Sequence, residues 1–336
     1  MITCLLSNPL LQWHLGLTTE ELMSILNDDK PNHYQVLVIG YGEMGHAIEY
    51  LLTQRNHSLD HTISIDLWDR IAVGNSRFTN IKEAIPKADF VFFCMPVSAY
   101  RQTAELVRPF LKDNAISIAI AKGIDEQGEI ASQIFSTVLA NKNQAFLYGP
   151  MIAENLYSGR YGFAQVATQD KSVYDEIHAL FTGSNLYIEH SRDVIGANWA
   201  VVLKNVYAIL FGITDELNYG DNVRGYLMVM CVRELCQIVQ HMGGNSDTPL
   251  YLAGLGDLIT TSTSQDSHHY QLGQKLARGK TETIDGEGPH TLAMVDKFNI
   301  LDYSQFSVFT LASKIIKSPN KLIQLLENHF DSLLSS

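Results

Sequence analysis

Cysteine is scarce in this chain. Cys4, Cys94, Cys231 and Cys236 are the four present in 336 residues, and none has metal-ligand spacing. Such a chain is no disulfide scaffold, and thiols inside apolar patterns agree with a reducing cytoplasm. Positive charge is scarce too: 24 Lys and Arg against 36 Asp and Glu leave a formal net charge of −12. There is no basic footprint for nucleic acid or an anionic membrane, so any anion site must be built locally against an acidic background. The first residues lack the basic start of a secretion signal. No internal repeat or low-complexity tract occurs. A hydrophobic share of 46% and a charged share of 18% describe an ordinary globular protein.

Long apolar runs are also rare. One stands out, Val194 to Ile213, with Lys204 as its single charge near the middle. Its length suits a membrane span, but a central lysine costs roughly 2.5–3.5 kcal/mol there, and Asn198 and Asn205 add to that. No second run of that length exists, so the expectation is a helix in a globular core and no integral membrane span. Ala197, Ala200 and Ala208 share a helical face with Lys204, which would leave room for a ligand or another chain segment beside the amine. Such a lysine either snorkels to the surface or is buried, with a lowered pKa that fits it for proton transfer.

The rest of the chain supplies a context. Residues 1–33 read as an N-terminal extension, in which Thr18 and Glu21 form a capping-box pattern before a short helix ending near Asn27. From Gln35 to Ile39 runs a buried-strand pattern, followed at once by Gly40, Gly42 and Gly45, with Tyr41, Glu43 and Met44 between them, and then a helix. Between a strand and a helix, G-x-G-x-x-G is a dinucleotide fingerprint. The glycines allow the turn and close approach of backbone to pyrophosphate, and the helix N-terminus holds the anion. A second strand from Thr62 ends before Asp69 and Arg70. The acid would bind NAD ribose and the arginine would favour the 2′-phosphate of NADP, so the cofactor is NAD or NADP. Apolar runs at 89–94, 115–121 and 145–148, separated by helical patterns, predict further strands, and 163–168 and 186–189 close the series. Lys122 and the Gly149-Pro150 turn fall at strand carboxyl ends, where such sheets bind ligands. Beyond residue 190 the patterns are helical only: 223–241, 270–278, 288–298 and 306–326. The fold class is α/β, a Rossmann-type doubly wound, mostly parallel sheet over 34–190, followed by an all-α domain over 191–336.

Several motifs in this order resemble the NAD(P)-dependent glycerol-3-phosphate dehydrogenase family: the glycine fingerprint, Trp68-x-Arg70, Met95-Pro96, Ala121-Lys122-Gly123, Gly149-Pro150 with Ala153, Leu203-Lys204-Asn205, Gly256-Asp257-Leu258 with Thr261, and Glu287-Gly288. The resemblance implies reversible hydride transfer between a nicotinamide and the carbon joining dihydroxyacetone phosphate to sn-glycerol 3-phosphate. It implies Lys204 as acid/base, Asp257 orienting its ammonium, and Lys122 contacting both substrate and cofactor. Gly149, Asn205 and Thr261 fall at the substrate, and Pro96, Ala153 and Glu287 at the cofactor. The partner is then a phosphorylated triose, and the assembly a homodimer.

The departures lie at the substrate end. Where the family carries Ser-Arg-Asn to grip the phosphate, this chain has Ser267-His268-His269. Losing a charge-assisted hydrogen bond costs roughly 1.5–3 kcal/mol. Either histidine would compensate only as an imidazolium. Met151 and Ile152 replace Ser-Phe in the Gly-Pro turn, and Asn155 replaces a glutamate. Adjacent helical histidines diverge by about 100 degrees, so no metal site is expected. The alternatives are a related dehydrogenase of another small hydroxy compound and a non-catalytic nucleotide-binding homologue. Retention of Lys122, Lys204, Asn205, Asp257 and Thr261 together speaks against the latter.

Overall fold

The computed structural model describes residues 33–54, 62–71, 79–141 and 143–335. The short helix expected from Thr18 lies outside them. Among the described residues seven strands form one sheet: β1 (His33–Ile39), β2 (Thr62–Trp68), β3 (Phe90–Phe93), β4 (Ile116–Ala119), β5 (Gln144–Tyr148), β6 (Gly162–Ala167) and β7 (Leu186–Ser191). Their order is β2-β1-β3-β4-β5-β6-β7. All pairings are parallel except β5 with β6. β1 has β2 on one side and β3 on the other, so the chain reverses direction across the sheet at its end. Open α/β sheets receive ligands at this switch point.

The strand runs are apolar throughout because both faces are covered. Val36 and Val38 point into one core, with Phe90, Phe92, Leu51 and Leu147. Leu37 and Ile39 point into the other, with Val91, Phe93 and Phe146. Helix α1 (Glu43–Thr53) covers the first face with Ala47, Ile48, Leu51 and Leu52. Helices α2 (Tyr100–Val107), α3 (Ala153–Tyr157) and α4 (Lys171–Phe181) follow, with short helical turns at Ile81–Ala84 and Ala131–Ile134.

After β7 only helices follow: α5 (Val194–Glu216), α6 (Asp221–His241), α7 (Asp257–Thr263), α8 (His268–Ala277), α9 (Glu287–Phe298), α10 (Ser307–Lys317) and α11 (Leu322–Leu334). The single helix expected over 306–326 is two, because Pro319 opens a short 3-10 turn between them. α5 is the long apolar run of the sequence. Asp193 caps it, accepting from Gly196 N at 2.9 Å, and every residue from Gly196 to Thr214 is buried. Its apolar surface is satisfied all round by protein. Ala197, Ala200 and Ala208 are themselves core residues and do not open onto the ligand cavity, so of the two expected occupants it is other chain segments that pack on them.

The closest helix contact is between α5 and α8. A Cβ on Gly273 would lie 2.1 Å from the carbonyl oxygen of Ile209, and one on Gly212 would lie 2.0 Å from that of Tyr270. Backbones this close fix where the start of α8 stands relative to Lys204. Gly273→Ala is expected to destabilise the fold by at least about 2 kcal/mol, since backbone on both sides must part. Equilibrium denaturation measures it, and a change within about 0.5 kcal/mol would show that the two helices are free to separate.

Candidate active site

Residues distant in sequence meet in a cavity of about 470 Å³ between the carboxyl ends of the strands and the helical layer. At its floor stands Lys204, which does not snorkel: it is 3% exposed. Its Nζ lies 3.1 Å from Asp257 Oδ2. It also donates to the Thr261 hydroxyl, which in turn donates to the Asp257 carbonyl at 2.7 Å. Lys122 Nζ approaches the same carboxylate oxygen at 2.7 Å and donates to the Gly149 carbonyl at 3.1 Å. One carboxylate therefore faces two ammonium groups. Burial, the strongest influence, lowers the Lys204 pKa to about 8. Asp257 opposes that shift and Lys122 adds to it.

The scaffold explains these positions. Lys204 sits mid-helix in α5, one turn N-terminal to Ala208. Asp257 is the first residue of α7, so the helix-starting role and the ion-pairing role coexist. Lys122 follows β4 on a loop tied by Tyr100, whose hydroxyl accepts from Ile120 N at 3.1 Å and Ala121 N at 2.9 Å while donating to the Phe93 carbonyl. Asn205 Nδ2 donates to the Lys122 carbonyl at 3.0 Å. Tyr100 had no sequence signal beyond an aromatic at a helix start.

The cofactor-side residues gather at the switch point. Gly40 has φ +90, and a Cβ there would lie 2.9 Å from Met95 N. A Cβ on Gly45 would lie 2.2 Å from the Gly40 carbonyl oxygen, so helix and turn pack as the fingerprint requires, whereas one on Gly42 would meet open space. Gly42, Glu43, Met44, Pro96, Ala153 and Glu287 line the cavity; Gly40, Tyr41 and Gly45 shape the turn behind it. Asp69 accepts from Tyr41 N at 2.7 Å and Ile71 N at 2.8 Å, placing its carboxylate beside the turn, while Arg70 is exposed. Asp66 is withdrawn from the site by Gln35, which donates to it at 2.8 Å. Burial raises the Glu287 carboxyl pKa, and that group lies against Gly123, where a Cβ would clash with it.

At the substrate end the picture changes in detail. Gly149 serves through its carbonyl as a partner of Lys122, outside the cavity wall. Ser267 accepts from Tyr270 N as the cap of α8, and His268 and His269 begin that helix. His268 is exposed and lines the cavity. His269 is held down to a pKa of about 3, first by burial and then by Lys204 and His268. It is therefore a neutral imidazole near neutral pH, which corrects the expectation that it could serve as a cation. Among the described residues its buried Nε2 has no hydrogen-bond partner. Met151 and Ile152, counted among the departures at the substrate end, line the cavity, as do Glu154 and Asp266. Sequence reasoning placed neither acid there, since both lie off every recognisable motif.

A glycine turn at a sheet switch point, beside a paired-lysine cluster, fits a nucleotide-dependent oxidoreductase. The chain belongs to the NAD-dependent glycerol-3-phosphate dehydrogenase family. The model of that family's N-terminal domain matches residues 74–174 and that of its C-terminal domain matches 193–327. A glycerol-3-phosphate dehydrogenase [NAD(P)+] from Exiguobacterium is 31% identical over 272 residues, covering 75% of this chain and 80% of that one. One from Halothermothrix orenii is 30% identical over 261 residues, covering 73% and 76%. In fold, the chain is similar to the glycerol-3-phosphate dehydrogenases of Coxiella burnetii (TM-score 0.76, 20% identity, covering 88% and 99%) and Plasmodium falciparum (0.75, 17%, 90% and 97%).

Replacing Asp257 with Asn removes the shared counter-charge and leaves two ammoniums facing each other. The titration midpoint of Lys204, followed by side-chain NMR, is expected to fall by about one unit or more. An unchanged or higher midpoint would mean that Asp257 does not govern its charge.

Proposed function

We propose that this protein interconverts dihydroxyacetone phosphate and sn-glycerol 3-phosphate with a nicotinamide cofactor. The observation that carries the reading is the Lys122–Asp257–Lys204 cluster, buried in the cavity onto which the glycine turn opens. Gly42, Met44, Pro96 and Ala153 would hold the cofactor, and the bound nicotinamide supplies or accepts the hydride at the substrate C2. In reduction, the C2 carbonyl oxygen becomes an alkoxide as a C–H bond forms. The Lys204 ammonium gives its proton to that oxygen, and its own N–H bonding pair becomes the amine lone pair. Lys122 stays charged and stabilises the oxyanion, while Asp257 holds both amines in place. In oxidation, neutral Lys204 takes the hydroxyl proton. Asp69, anchored beside the turn, supports NAD over NADP. Unpaired Cys94, Cys231 and Cys236 agree with a cytoplasmic location, and the family likeness supports a homodimer.

The substrate phosphate would rest on His268 at the start of α8, because His269 carries no charge. A second reading, reduction of an unphosphorylated ketone, is favoured by the loss of arginine at this position.

Lys204 must be protonated for reduction and neutral for oxidation. Given its pKa of about 8, kcat/KM for ketone reduction is expected to fall as pH rises through 8, and that for alcohol oxidation to rise to a plateau above it. Lys204→Met, which keeps volume but removes the amine, should cut kcat by about 10²–10⁴. Near-normal turnover in that variant would remove Lys204 from the chemistry. His268→Arg is expected to lower KM for the phosphate ester about tenfold to a hundredfold. An unchanged or higher KM, with turnover confined to unphosphorylated ketones, would instead establish the second reading.

A further inference from the structure

We propose that Glu43 is an internal competitor for the cofactor, a residue that weakens dinucleotide binding by placing its own carboxylate where the pyrophosphate is drawn. The inference rests on the dinucleotide reading of the glycine turn and goes beyond it, because the fingerprint specifies attraction alone.

α1 begins at Glu43, and its preceding residue, Gly42, offers no side-chain cap. The free N–H groups and the helix dipole make this terminus positive, which is why a phosphate binds there. In the free protein the same field favours the nearest carboxylate, that of Glu43. That side chain is exposed and lines the cavity, while a Cβ at Gly42 would meet only open space. The backbone cradle is thus open, and a fixed negative charge stands at its edge.

Glu43 is not alone. Glu154 of α3 and Asp266, just ahead of α8, line the same cavity from other elements. The cations of the described cavity wall are Lys122 and Lys204, both held at the floor by Asp257. A dinucleotide therefore passes a mouth of three carboxylates whose charge no neighbouring lysine or arginine of that wall offsets. Like charges in partly exposed positions repel weakly, and the repulsion fades as salt shortens the screening length. The usual behaviour of an anion site, weaker binding in salt, should be blunted or reversed here.

NADH fluorescence titration of the full-length protein tests this at low and high ionic strength, with Glu43→Gln and Glu43→Ala beside wild type. Glu327→Gln, an exposed carboxylate on α11, controls for net charge alone. Both Glu43 variants are expected to bind NADH about three- to tenfold more tightly than wild type in low salt. The gap should close toward about 0.5 M salt, where the screening length is only a few ångströms. Glu327→Gln should bind as wild type does. Equal or weaker binding by the Glu43 variants in low salt, or a gap that persists unchanged in high salt, would overturn the proposal. An absence of saturable NADH binding in every protein, with the fold intact by circular dichroism, would instead refute the dinucleotide reading, and the proposal with it.

Discussion

One carboxylate oxygen shared by two ammonium groups is the interaction on which this structure depends. Lys122 comes from the sheet layer, while Lys204 and Asp257 come from the helices, so the cluster joins the two halves of the molecule at the point where chemistry is possible. A buried lysine without a partner would lose its charge, and two facing lysines would repel each other. Asp257 satisfies both at once and leaves the cluster with one net positive charge. That surplus is suited to a developing alkoxide, and a lysine pKa near neutrality is suited to giving up a proton.

The surrounding fold keeps this arrangement from collapsing or drifting. α5 is long and apolar because its surroundings are protein on every side, and the glycines at 212 and 273 bring α8 to backbone contact with it. Tyr100 braces the loop that carries Lys122 from behind, through two backbone N–H groups. Neither device touches a ligand. Both fix distances between residues far apart in the chain, so the cost of bringing the cluster together is met by packing away from the site.

Much of this was legible in the sequence, for identifiable reasons. Buried parallel strands are apolar on both faces, so β1, β3, β4 and β5 stood out as short continuous runs. A glycine fingerprint marks a backbone requirement that few other residues meet. Lys204 was conspicuous because charge is rare in such a run. Its alternatives, snorkelling and burial, were separated only by the tertiary environment that leaves it 3% exposed. The same limit applied elsewhere. Adjacent histidines look equivalent in a sequence, but helix geometry turns His268 outward and His269 inward, and burial removes the charge from the second. The three alanines beside Lys204 read as space for a ligand or for another chain segment, and only the tertiary packing assigns that space to protein. Glu154 and Asp266 belong to no pattern, since a carboxylate becomes part of a cavity only through the elements that converge on it.

The cavity that results has two lysines sharing one carboxylate at its floor, and Glu43, Glu154 and Asp266 elsewhere on its wall. The central proposal is that hydride passes between the nicotinamide and the carbon whose oxygen Lys204 protonates. It is tested most directly by supplying dihydroxyacetone phosphate with NADH deuterated at the transferable position and analysing the product by mass spectrometry and NMR. The account predicts sn-glycerol 3-phosphate carrying one deuterium at C2. Unlabelled product, label at another carbon, or no product with intact protein and bound NADH would contradict it.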